Sequence, residues 1–149
     1  TGKTTNKMHN LQRSTLETYS IRLKPGDDIS LCLEEICKDY SIQAGVILSC
    51  VGSLREVSLR YAGEPNTTKL TGPFEIVSLT GTISVNGSHL HLSISDKTGQ
   101  TLGGHLKPGN SVYTTIELTI GVLSSLIFTR EKDQQSGYNE LFIKQIPSK

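Results

Sequence analysis

Tryptophan is absent from this 149-residue chain, and aromatic residues together make up 5% of it. A core must therefore be built from leucine, isoleucine and valine, which are plentiful. Cysteine is scarce. Cys32, Cys37 and Cys50 are odd in number and form no CxxC pair, so they read as reduced thiols in a cytoplasmic protein rather than as a disulfide framework. No apolar run is long enough to span a membrane, and the opening "TGKTTNK" lacks the apolar centre of a signal peptide. Charge of one sign is missing too. Fifteen Lys and Arg against fourteen Asp and Glu leave a net charge of +1, which builds in no strong pull toward DNA, RNA or anionic lipid. The signatures GxSxG, Walker A and HExxH are absent, and no serine stands in a nucleophile context.

A chain of this length is expected to form one domain, with enough residues to bury a core without staples. Met8 reads as the native start. Residues 1–14 are expected to be an unstructured N-terminal extension or a cloning remnant, and residues 15–146 the folded domain. "TLETYSIRLKPGDD" predicts a strand stopped by Pro25-Gly26. "DISLCLEEICKDY" predicts the main helix, with Ile29, Leu33, Ile36, Cys37 and Tyr40 on one face and Asp27 or Asp28 as its N-cap. "AGVILSCVGSL" is apolar on both parities, the pattern of a strand covered on both sides.

Strands and turns follow. "REVSLRYA" alternates, "GEPNTTKLTGP" reads as a loop, and "FEIVSLTGTISV" is a long strand whose Gly81 marks a bulge or a close backbone approach. Asn86-Gly87 signals a hairpin. "HLHLSIS", "QTLGGHL", "VYTTIELTI", "LSSLIFTR" and "ELFIKQI" complete the series. The fold class is α+β: a single domain with a largely antiparallel or mixed sheet of about seven strands packed with one main helix.

Three of the four histidines lie within "SHLHLSISDKTGQTLGGHL". Strand parity sends Leu90, Leu92 and Ile94 to one face and His89, His91, Ser93 and Ser95 to the other. The leucine face is the core face, so His89 and His91 look toward solvent, a cleft or a subunit boundary. Residues two apart on one face are about 6.5–7 Å apart along the backbone, so their imidazoles can converge on one ion. The "SDKTG" turn can bring His105 beside them as a third nitrogen ligand. Such a set suits zinc, with nickel or iron as other divalent choices. The other reading of the same residues is an unliganded polar sheet face. Glu75 and Glu117 are candidates to orient a histidine from behind, or are ordinary surface carboxylates. Gly103 and Gly104 permit close approach of another backbone or a ligand.

"GPFEIVSLTGTIS", "HLHLSISDKTGQTLGGHL", "GNSVYTTIELTI" and, upstream, "GVILSCVGSLREVSLRYA" resemble the plant and prokaryote conserved (PPC) domain in its stand-alone prokaryotic form. The resemblance covers residues 15 to 146. It implies an α+β fold assembling as a homotrimer and a DNA-binding or regulatory role, by association with plant members that carry AT-hooks. It also implies a metal site at His89, His91 and His105, because prokaryotic members are similar in keeping the HxH and the later histidine. The AT-hook core Arg-Gly-Arg-Pro is absent, and Gly72-Pro73-Phe74-Glu75 stands where plant members have Gly-Arg-Phe-Glu. A DNA contact would need a local patch such as Arg13, Arg22, Lys24, Arg55 and Arg60. Two functional readings follow. One is a non-enzymatic trimeric regulatory module that contacts DNA weakly by itself. The other is a metal-dependent or small-molecule-binding protein, an enzyme included, with its site at the histidine face.

Overall fold

The computed structural model describes residues 9–147. In chain order it contains β1 (Leu16–Leu23), α1 (Ile29–Asp39), β2 (Gly45–Arg60), β3 (Thr68–Ile83), β4 (His89–Ser95), β5 (Thr101–Leu106), β6 (Ser111–Leu123), β7 (Leu126–Lys132) and β8 (Asn139–Gln145). The fold is α+β, as the sequence predicts, with one helix and eight strands among the described residues.

Six strands form a sheet of order β1-β6-β2-β3-β4-β5, antiparallel throughout. Strand β5 also returns to β2 through Leu59↔Leu106 and Arg60↔His105. Strands β2, β3, β4 and β5 therefore close on one another at the Arg60–His105 end, which shortens the open edge of β5, while β6 and β1 extend the sheet beyond them. Strands β7 and β8 pair only with each other. They pack on the rest through Leu126 and Phe128 against Ala44, and the Phe128 carbonyl accepts from Asn86 Nδ2 at 2.9 Å.

Helix α1 begins where the sequence places it. Asp28 is the N-cap, its side chain accepting from Leu31 N at 3.1 Å. The other carboxylate oxygen accepts from Asn110 N at 2.9 Å. Asn110 is fully buried and its Oδ1 accepts from Ser58 N at 2.8 Å, so one asparagine ties the helix start to β2. Ile29, Leu33 and Cys37 are buried with Leu23, Ile42, Ile83, Ile116 and Ile120. Tyr40, expected on this face, is instead the exposed C-cap, with its ring 5.1 Å from that of Tyr19.

Two readings of the middle of the chain are corrected. The segments "AGVILSCVGSL" and "REVSLRYA", which meet between Leu54 and Arg55, form one continuous strand, β2. Strand β3 starts at Thr68, inside "GEPNTTKLTGP", because β2 offers that segment a full edge, from Leu59↔Thr68 to Glu56↔Thr71. Long-range pairing overrides the turn-like composition there. The expected cover on both faces of β2 is also incomplete within this chain. The helix shields one face, while Leu48 and Val51 stay 48% and 54% exposed.

Candidate metal centre

The site is built from the parity of β4. Leu90, Leu92 and Ile94 are buried at 6%, 1% and 1% exposure, which fixes His89 and His91 on the outward face. Strand β5 then runs back along β4 after the turn at Asp96. That carboxylate accepts from the backbone N–H of Thr98 at 2.8 Å and of Gln100 at 3.1 Å. The register makes His105 the direct partner of His91. Ring centroids are 5.0 Å apart for His89 and His91, 5.4 Å for His89 and His105, and 5.8 Å for His91 and His105. One nitrogen from each ring lies within 4.8 Å of the other two. Nitrogens bound to one tetrahedral zinc ion sit roughly 3.4 Å apart, so a modest rotation of the imidazoles closes the set. The donors fit a divalent transition metal and leave a further coordination position open.

The electrostatics favour the ligating form at two of these rings, His105 and His89. Burial, reinforced by His89, Arg60, Lys107 and His91, pushes His105 down to about 4. His89 is also lowered, first by burial, then by His91 and Arg130. A neutral imidazole is the ligating form, and the downward shifts at His105 and His89 both favour it.

The glycines account for how closely the strands pack here. Gly81, expected at a bulge or close approach, has φ +141°, and a Cβ on it would lie 2.0 Å from the His89 carbonyl oxygen. Gly104 faces the Arg60 carbonyl, with a Cβ distance of 2.7 Å, and Gly103 faces Ser93. The neighbours admitted by Gly103 and Gly104 are thus β2 and β4 of the same chain. Glu75 pairs with Ser95 and Ser53, toward the end of β4 away from His89. Glu117 lies on β6 opposite Arg22 and Val51. Neither carboxylate lies across a strand from a histidine; Glu140 on β8 is the acidic group that acts on His89.

Two hollows flank the cluster. A recess of about 190 Å³ is lined by Thr80, Gly81, Thr82, His89, His91, Arg130 and Leu141. A larger cleft of about 480 Å³ lies between α1 and the β3–β4 turn, with Leu33, Leu90 and Leu106 at its apolar side and Glu34, Lys38 and His105 among its polar groups. Arg130 and Leu141 come from β7 and β8, which sequence reasoning left out of the site. Periodicity marks those segments as strands but carries no sign of which surface they cover. The three cysteines are free; burial pushes Cys37 and Cys50 each up to about 11.

Comparison with known proteins agrees with this architecture. Residues 11–124 match the family model of the Plants and Prokaryotes Conserved (PCC) domain. The chain belongs to that family, the PPC family indicated by its strand motifs. It is 40% identical over 132 residues to the bifunctional protein GlmU of Synechococcus sp. (strain JA-2-3B'a(2-13)), covering 89% of this chain and 21% of GlmU. The chain thus spans about a fifth of that curated relative. A hypothetical protein from Salmonella enterica superposes with a TM-score of 0.89 at 46% identity, covering 90% of this chain and 97% of that one. A metal-containing protein from Archaeoglobus fulgidus, AF0104, superposes with a TM-score of 0.75 at 26% identity, covering 89% of this chain and 99% of that one. No helix among the described residues is long and apolar enough to cross a membrane.

Proposed function

We propose that this chain is a metal-binding PPC module that works as a homotrimer and holds one divalent transition ion, zinc first among them, through His89, His91 and His105. The observation that carries the reading is the convergence of three imidazole nitrogens within 4.8 Å on an outward strand face. The metal content named for the Archaeoglobus relative supports it. When bound, the ion supplies a Lewis-acid centre with an open position. The chain's own part is to hold three imidazoles in register, through the His91↔His105 pair and the close packing at Gly81 and Gly104. This is a binding and regulatory function rather than a catalytic one.

Trimer formation is supported by the half-bare face of β2. A central strand that leaves Leu48 and Val51 exposed presents apolar surface that a second copy can cover, and a closed ring of copies satisfies each in the same way. DNA contact in this reading is weak and non-specific for the chain alone, since its net charge is +1. Native mass spectrometry of tag-free protein loaded with zinc tests both parts in one spectrum. A trimer carrying one zinc ion per chain is the expected species. A monomer at micromolar concentration rejects the assembly, and a metal-free spectrum rejects the site.

A further inference from the structure

We propose that the recess beside the three histidines is an oxyanion site, in which Arg130 of β7 holds a small phosphate or carboxylate against the open coordination position of the metal. The proposal rests on the metal reading above for its second contact, and on Arg130 for its first.

Arg130 is placed there by a hydrogen bond to β3 and by its position over the β3–β4 turn. Its stem packs near Gly87 of the β3–β4 turn, with Cγ 3.6 Å from where a glycine Cβ would stand. Its guanidinium donates to Thr82 Oγ1 at 2.9 Å, and Thr82 is the cross-strand partner of His89. The residue then lines the same recess as His89 and His91. A guanidinium carries five N–H donors in a fixed plane, so one bond to Thr82 leaves others to serve an anion.

The surroundings favour negative charge. Arg60 is cross-strand to His105 and, with Arg130, acts on His89; Lys107 acts on His105. Glu140 is the one carboxylate that opposes them at His89, and it is not among the residues lining the recess. A bound divalent ion adds charge of the same sign. The recess, at about 190 Å³, suits a small anion rather than a large ligand. Bidentate pairing with a carboxylate or phosphate is what the planar fork of arginine does best. Arg130 and Leu141 lie on the C-terminal hairpin, beyond residues 11–124 that match the family model.

The test is a titration of metal-free and cobalt-loaded protein with inorganic phosphate and, separately, with acetate. Calorimetry reads affinity, and the visible cobalt spectrum reads coordination. The variants are Arg130→Gln and, as a charge control outside the recess, Lys144→Gln. Saturable anion binding is expected in the wild type, weakened about tenfold or more by Arg130→Gln, as for loss of a charge-assisted hydrogen bond. Lys144→Gln should bind like the wild type, and cobalt uptake should be equal in all three. Tighter phosphate assigns a phosphoryl ligand, and tighter acetate a carboxylate; either supports the site. If cobalt does not load but Arg130-dependent anion binding persists, the metal reading fails and the oxyanion site stands. Equal affinity in wild type and Arg130→Gln, or no saturable response in either form, overturns it. So does a variant that loses only thermal stability, since Arg130 would then be a pin for the β7–β8 hairpin. Should Arg130→Gln not fold, Thr82→Val removes the hydroxyl that orients the guanidinium, and the same affinity loss is expected.

Discussion

His91 on β4 and His105 on β5 are direct cross-strand partners, with ring centroids 5.8 Å apart. Two cationic rings in that position repel each other, as like charges do when directly opposite in a sheet. The folded apoprotein favours the neutral ring at His105, chiefly through burial.

Acid sensitivity follows from His105. Its folded value of about 4 lies below the ordinary 6.5, so between these limits the unfolded chain binds the proton more readily than the folded one. The stability tied to the neutral ring is fully present above about pH 6.5 and is lost as pH falls toward about 4. Thermal melts of metal-free protein between pH 7.5 and 4 should show a falling Tm. Replacing His105 by Gln should flatten that fall. A wild-type Tm that rises with acidification would contradict the assignment.

Gly81 is the backbone hinge of the site. With φ +141° and a projected Cβ only 2.0 Å from the His89 carbonyl oxygen, Gly81→Ala must push β3 away from β4. A loss of about 2 kcal/mol or more is expected from strain of this kind, readable as a lowered urea midpoint, together with weakened metal uptake because His89 shifts. Unchanged stability would mean that the two strands tolerate separation there.

Asn110 makes a separate, purely structural prediction. It is fully buried, accepts from Ser58 N, and donates its own N–H to Asp28. Asn110→Ala orphans Ser58 N in the interior, at a cost of about 1–3 kcal/mol. Metal stoichiometry should not change, because the partners of Asn110 are Ser58, Asp28 and Lys107 and none is a histidine. Chemical denaturation with and without zinc separates the two effects.

Much of this site was legible in the sequence because strand parity is a short-range property. The alternation of Leu90, Leu92 and Ile94 with His89 and His91 fixes which way the rings point, and a tight turn returns the next strand, so His105 could be placed with them. Asp28 as N-cap and Gly81 as a close approach were legible for the same local reason. What failed depends on long-range partners. Thr68 to Pro73 look like a loop until β2 supplies an edge, and Tyr40 follows the helical period yet caps the helix in solvent. The pattern around Leu48 and Val51 marks apolar faces but says nothing of what covers them. Arg130 was invisible for this reason too: nothing in "LSSLIFTR" says that the strand lies beside a turn some forty residues earlier.

DNA binding supplies a contrast. With a net charge of +1 and no AT-hook arm in the sequence, the chain alone should bind duplex DNA no more tightly than the non-specific range of about 10⁻⁴–10⁻⁶ M at physiological salt. Fluorescence anisotropy across a salt series reads this directly. A nanomolar, sequence-selective complex would move the function to regulation of DNA.

The central claim is that His89, His91 and His105 form one metal site. Isothermal titration of tag-free protein with zinc, wild type beside His91→Ala, tests it most directly. Stoichiometric uptake near one ion per chain is expected at neutral pH, with loss of that uptake in His91→Ala and an unchanged fold by circular dichroism, since His91 lies outside the leucine core. Wild-type uptake no greater than that of His91→Ala would contradict it.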